Sequence, residues 1–134
     1  MKQIRFAAFL FVLITTVSCG KDNNGGPPSD TAAIITINAP VANSRFANGG
    51  PINVRGHIDD QDILKSATVE IKNKTSGVVL FTQTNLLNGI AVYSFDWTWN
   101  VTGVTATFTA SIKIISTDQY NYQTTKEIDV TLDP

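Results

Sequence analysis

The sequence predicts an all-β fold, a two-layer antiparallel β-sandwich of about seven strands. Three observations carry this. Apolar and polar residues alternate with period two in segment after segment of residues 34–134. Clusters of Gly, Asn and Asp separate those segments. No window places apolar residues at helical spacing with caps. A small closed barrel is the alternative that the same strands allow.

The segments follow in order. "IITIN" (34–38) alternates briefly and stops before Pro40, which cannot donate to a ladder. "PINVRGHID" places Ile52, Val54, Gly56 and Ile58 on one side and Asn53, Arg55, His57 and Asp59 on the other. "SATVEIKN" turns Ala67, Val69 and Ile71 inward, and "VVLFTQT" (78–84) forms a fourth strand. "AVYSFDWTW" carries the cleanest alternation, with Tyr93, Phe95, Trp97 and Trp99 sharing a face. "ATFTASIKIIST" sends Phe108, Ala110, Ile112 and Ile114 inward, and "KEIDVTL" ends with Ile128, Val130 and Leu132 inward. Turns are expected at Asn48-Gly49-Gly50, 59–62, 75–77, Asn88-Gly89 and 100–103.

Several of these stretches together resemble the bacterial immunoglobulin-like domains of secreted and surface proteins. The resemblance rests on "NAPVANSRFANGGPINVRGHIDD", "ATVEI", "YSFDWTW" and "ASIKIISTDQYN", and it spans most of residues 35–132. It implies an immunoglobulin-like sandwich and no particular activity. Such domains recur in lipoproteins of the Bacteroidetes lineage, including a family of unknown function built from an anchor, a linker and one sandwich.

The first 33 residues read differently. Lys2 and Arg5 precede an apolar run at 6–17. At about 12 residues that run is well short of the ~20 needed to span a bilayer as a helix. A basic start, a short apolar stretch and a small residue before the cut describe a secretory signal peptide, residues 1–18. Thr16-Val17-Ser18-Cys19 resembles the bacterial lipobox, departing from it at Thr16, where leucine is usual. The resemblance implies that Cys19, the only cysteine, becomes the lipidated first residue of the mature protein. A single cysteine has no disulfide partner within the chain, and multiple acyl chains anchor almost irreversibly where one would not.

Residues 19–33 then form a linker with no large apolar residue, too polar to offset its ordering entropy. Such a linker has an r.m.s. reach of roughly 20 Å and a full extension near ~48 Å. The domain itself is assigned to residues 34–134. Gly20-Lys21-Asp22 looks like the export signals of Bacteroidetes surface lipoproteins. Asp30-Thr31-Ala32 is similar to that lineage's O-glycosylation pattern, which implies a glycan on Thr31. Ordinary linker composition accounts for both short patterns as well.

Composition narrows the function. The chain of 134 residues has 43% apolar and 16% charged residues and a net charge of −1. Without residues 1–18 it carries 8 basic against 11 acidic residues. A mildly acidic protein has no electrostatic reason to bind nucleic acid, and it lacks the lysine clusters that dock on anionic membrane surfaces. Its contact with a membrane is expected through the lipid alone.

No catalytic residue is expected. His57 is the sole histidine, and no nucleophile-elbow sequence exists to make a triad with it. Glu70 and Glu127 stand beside Lys72 and Lys126 as solvated sheet charges, not as a glycosidase pair. In an immunoglobulin-like topology, Asp59, Asp60 and Asp62 approach Asp118 and Asn121 at one end. Calcium takes six to eight oxygen ligands of these types, while Asp and Asn also belong in turns for backbone reasons. Both readings stand. Trp99, Tyr120 and Tyr122 are the ligand-contact candidates, with packing in the core or under the turn as the alternative role.

The expected function is a lipid-anchored outer-membrane protein of the cell envelope, displayed outward or held in the periplasm. Its module would be non-catalytic, capturing a glycan or joining a protein complex, with no cofactor other than calcium. A calcium-stabilised adhesion domain is the second reading and an enzyme the third. If Cys19 is processed as the lipobox resemblance implies, intact mass spectrometry will show an acylated Cys19 N-terminus, and Cys19→Ser will remove the lipid mass.

Overall fold

The computed structural model describes residues 31–134. The expected signal peptide, Cys19 and the expected linker as far as residue 30 lie outside the described residues. Six strands run through the described part: β1 (Ile34–Ala39), β2 (Arg45–Ala47), β3 (Pro51–Asn73), β4 (Val79–Asn100), β5 (Phe108–Asp118) and β6 (Gln123–Asp133). Two of them, β3 with 23 residues and β4 with 22, far exceed an ordinary strand of ~5–6 residues. Each is long because it belongs to both layers.

Residues 51–59 of β3 lie between β1 and residues 92–100 of β4. From Leu64 onward, β3 lies between the first part of β4 and β5. β6 continues this layer antiparallel to β5, and β2 closes it parallel to β6. The hydrogen-bonded order is β1-β3-β5-β6-β2, with β4 on the remaining flank of β3. One sheet therefore curls into two layers around a single core. Seven of its segments are those expected from alternation.

The expected turns at 59–62 and Asn88-Gly89 are corners inside continuous strands. At the first, the β3 register shifts between Asp59 and Leu64 and again between Leu64 and Ser66. Extra residues on one strand of a pair bend it and increase its twist. They also change which side chains face inward: Ile52, Val54 and Ile58 are buried before the corner, and Ala67, Val69 and Ile71 after it. The inward set switches from even to odd positions, which an uninterrupted strand cannot do. At the second corner, Gly89 takes a φ of +79°, a conformation that favours glycine. The short β2 was not among the expected strands. It is held by its ladder and by the Arg45 guanidinium, which donates to both Asp133 carboxylate oxygens at 3.1 and 2.6 Å.

The core joins both layers, with Ile35, Ile52, Val54, Ile58, Leu64, Val69, Ile71, Phe95, Trp97, Ile112, Ile114, Val130 and Leu132 all buried. Phe95 and Trp97 stack at 4.7 Å between ring centroids, 17° from parallel. Tyr93 and Trp99, expected on the same inward face, are half-buried at its margins. Trp99 stacks on Phe81 at 6.1 Å. At the far turn, Lys74 donates to Asp129 at 2.8 Å, tying the β3–β4 connection to β6. That hydrogen bond, followed by the charges of Asp129 and Glu127, holds the Lys74 ammonium above the ordinary lysine range against a desolvation effect.

Gly56 occupies the tightest point of the first layer. It pairs with Ile37 on one side and Phe95 on the other, and the Phe95 ring lies across it. A Cβ placed there would stand 1.9 Å from the Thr36 carbonyl oxygen and 2.5 Å from the Phe95 ring. No rotamer change relieves a backbone clash. Gly56→Ala will therefore destabilise the domain by at least about 1–3 kcal/mol, read as a melting temperature lower by several degrees.

Candidate functional site

The β3 corner and the β5–β6 turn meet at one end of the sandwich. The Gln119 N–H donates to the Ile63 carbonyl at 2.8 Å, and Lys65 Nζ donates to Asn121 Oδ1 at 2.5 Å. The chain also enters the domain here, because Ile34 pairs with Asp59. The Ala33 N–H donates to Thr124 Oγ1 at 3.1 Å and fixes that entry.

Asp118 organises the turn. It is buried, and its Oδ1 accepts from the Tyr120 and Tyr122 backbone N–H groups, each at 2.8 Å. The Asp118 N–H donates to the Tyr122 carbonyl at 3.1 Å, closing the hairpin. Asn121 completes it with a φ of +69°, which asparagine tolerates better than most side chains. One carboxylate thus fixes the backbone that bears both tyrosines. Their side chains remain outside, Tyr120 46% and Tyr122 44% exposed, with Ile63 beside the turn at 42%.

Ile63 was not among the sequence candidates. It sits where the alternation of β3 breaks, so no periodic signal marks it as inward or outward. Trp99 belongs elsewhere. It pairs with Ile52, seven residues along β3 from Asp59, which is about 23 Å away at ~3.3 Å per residue. The tyrosines and Trp99 therefore serve no common contact surface.

The acidic residues gather without converging. Asp60 Oδ1 accepts from the Asp62 N–H at 3.0 Å, an Asx-type local contact. Asp59 stands 3.4 Å from His57 Nε2 on the outer face. The Asn121 amide oxygen faces the Lys65 ammonium. Among the described residues, no three His, Cys, Asp or Glu side chains are close enough to hold a metal ion. Two residues along the same face, Arg55 and Asp96 pair with each other at 3.0 Å.

A shallow groove adjoins this end, lined by Thr31, Ala32, Ile34, Asp59, Asp60, Gln61 and Val92. It lies between the entering chain and the corner. Thr31, the glycan-acceptor candidate, is exposed at its rim.

No protein-family model matches the chain, and no curated protein does. Solved structures are similar in fold. Spo0M, a sporulation control protein from Bacillus subtilis, aligns over 78% of this chain at 7% identity and TM-score 0.50, and the match spans 50% of that chain. A Niemann-Pick type C2 protein from the Japanese carpenter ant aligns over 78% of this chain and 91% of its own at 11% identity and TM-score 0.50. Fibronectin(III)-like modules of Clostridium thermocellum CbhA align over 75% of this chain and 96% of theirs at 19% identity and TM-score 0.48. The described residues form an all-β sandwich built from one curled sheet. Identities this low speak to fold alone.

The Asp118 contacts generate a test that separates scaffold from surface. Asp118→Ala leaves two backbone donors of the turn without their acceptor and will cost about 1–3 kcal/mol. Asp118→Asn keeps a carbonyl oxygen and will recover most of that loss. Tyr120→Ala and Tyr122→Ala will change stability by only about 0.5 kcal/mol. Chemical denaturation of the four variants checks the order.

Proposed function

We propose that this chain is a lipid-anchored cell-envelope protein of the outer membrane, moored through Cys19. Its immunoglobulin-like domain is a non-catalytic binding or structural module, and the end bearing Ile63, Tyr120 and Tyr122 makes contact with a glycan or a protein partner. The observation that carries this reading is a pair of exposed tyrosines on a turn locked by a buried carboxylate. Tyrosine on a rigid turn offers broad amphipathic contact area at small entropic cost. Binding then requires little further ordering of the backbone.

The surroundings support contact better than chemistry. Arg55 with Asp96 and Glu70 with Lys72 are paired as solvated sheet charges. The entry of the chain at the same end sets a geometric condition. A bulky partner at the tyrosines must share space with the chain that enters beside Asp59. Nucleic acid remains a poor partner for a chain with more acidic than basic residues.

Affinity electrophoresis through native gels containing soluble polysaccharide tests the glycan branch. Retardation by one polysaccharide class, lost in the Tyr120→Ala and Tyr122→Ala variants and kept in Trp99→Ala, is the expected result. Retardation that persists in both tyrosine variants would remove this end as the contact surface.

A further inference from the structure

β4 is an edge along its whole length. It pairs with β3 on one side and, among the described residues, with no strand on the other. Such edges template the addition of another strand, and proteins usually blunt them with lysine, proline or a covering element. Among the described residues, most of this edge has none of these. From Thr75 to Phe95 there is neither a charged residue nor a proline. The opposite margins differ: β1 is 6 residues long and runs into Pro40, and β2 is 3 residues long and begins with Arg45.

Exposed apolar side chains gather on the same strand. Leu86 is 79% exposed, the most of any large apolar residue described, and Val79, Ile90 and Val92 are also exposed. The order of residues across the first part of β4 adds a second, independent observation. Residues 80–86 read "LFTQTNL", a sequence that is nearly its own mirror about Gln83. Antiparallel pairing with an identical strand, centred on Gln83, sets Thr82 opposite Thr84 and Leu80 opposite Leu86. The threonine pair lies on the outer face, where Thr82, Thr84 and Leu86 are exposed, whereas Leu80 stands at the register shift opposite Ile71 and Lys72 and packs partly against the core.

We infer that β4 pairs antiparallel with β4 of a second copy about a two-fold axis at Gln83, joining two sandwiches through a continuous sheet. A two-fold interface must be complementary to itself. Here no like charges meet, and threonine faces threonine. The chain already uses one such contact internally, where the Thr68 and Thr84 hydroxyls lie 2.8 Å apart across β3 and β4. Cross-strand threonine and apolar pairs stabilise sheets, whereas like charges directly opposite destabilise them.

The axis makes one residue its own neighbour, which defines the test. Sedimentation equilibrium of the full chain in neutral detergent will show a concentration-dependent dimer. Gln83→Lys and Gln83→Glu will each weaken dimerisation by at least about tenfold, because each sets like charges opposite one another. An equimolar mixture of the two variants will restore a dimer, which also shows that both are folded. Leu86→Ser will weaken association without altering the melting temperature. A wild-type chain monomeric to millimolar concentration overturns the inference. So does a dimer untouched by either charge, and so does a monomer that takes up an added extended peptide along β4 instead of its own copy.

Discussion

β3 hydrogen-bonds to β1, β4 and β5, and its side chains enter the core from both layers. Everything else in the domain is placed relative to it. The constraint is the change of inward parity at its corner, between Ile58 and Ala67. Were the extra residues there removed, the second half would turn Val69 and Ile71 to solvent and bring Thr68 and Glu70 inward. Burial of each large aliphatic side chain contributes ~1.5–3 kcal/mol, against a total stability of ~5–15 kcal/mol for a domain. The corner is therefore a requirement of the fold, and its irregularity is what allows one sheet to close over its own core.

The same corner also builds the contact end. Because β3 bends at residues 59–64, the Ile63 carbonyl is left outside the regular ladder and accepts from Gln119. That hydrogen bond brings the β5–β6 turn against the bend, and Asp118 then fixes the turn internally. Entry of the chain beside Asp59 adds the last component. A structural necessity and a candidate binding surface thus share one set of residues, which ties the position of the tyrosines to the stability of the core.

Much of this architecture was legible because strand alternation is a local property. Phe95 and Trp97, Val69 and Ile71, Ile112 and Ile114 all face inward as their spacing predicts. The corners were not legible as corners. Asp59, Asp60 and Asp62, like Asn88 and Gly89, have the chemistry of a turn whether the chain reverses or merely bends. β2 was missed because three residues cannot display a period. At the site, Tyr120 and Tyr122 share a turn as their proximity in sequence suggests. Trp99 was grouped with them by residue type, and the register places it toward the other end of β3.

Spacing and composition along the chain determined the all-β class, the inward faces and the apolar character of the core, since each depends on neighbours within a few residues. Only the tertiary structure decided that two strands serve both layers, that Gly56 lies beneath Phe95, and that Ile63 meets Gln119. Those outcomes depend on which distant segments pair and in what register. Hydrogen bonding and burial across the whole sheet select that register together, and no single segment carries it.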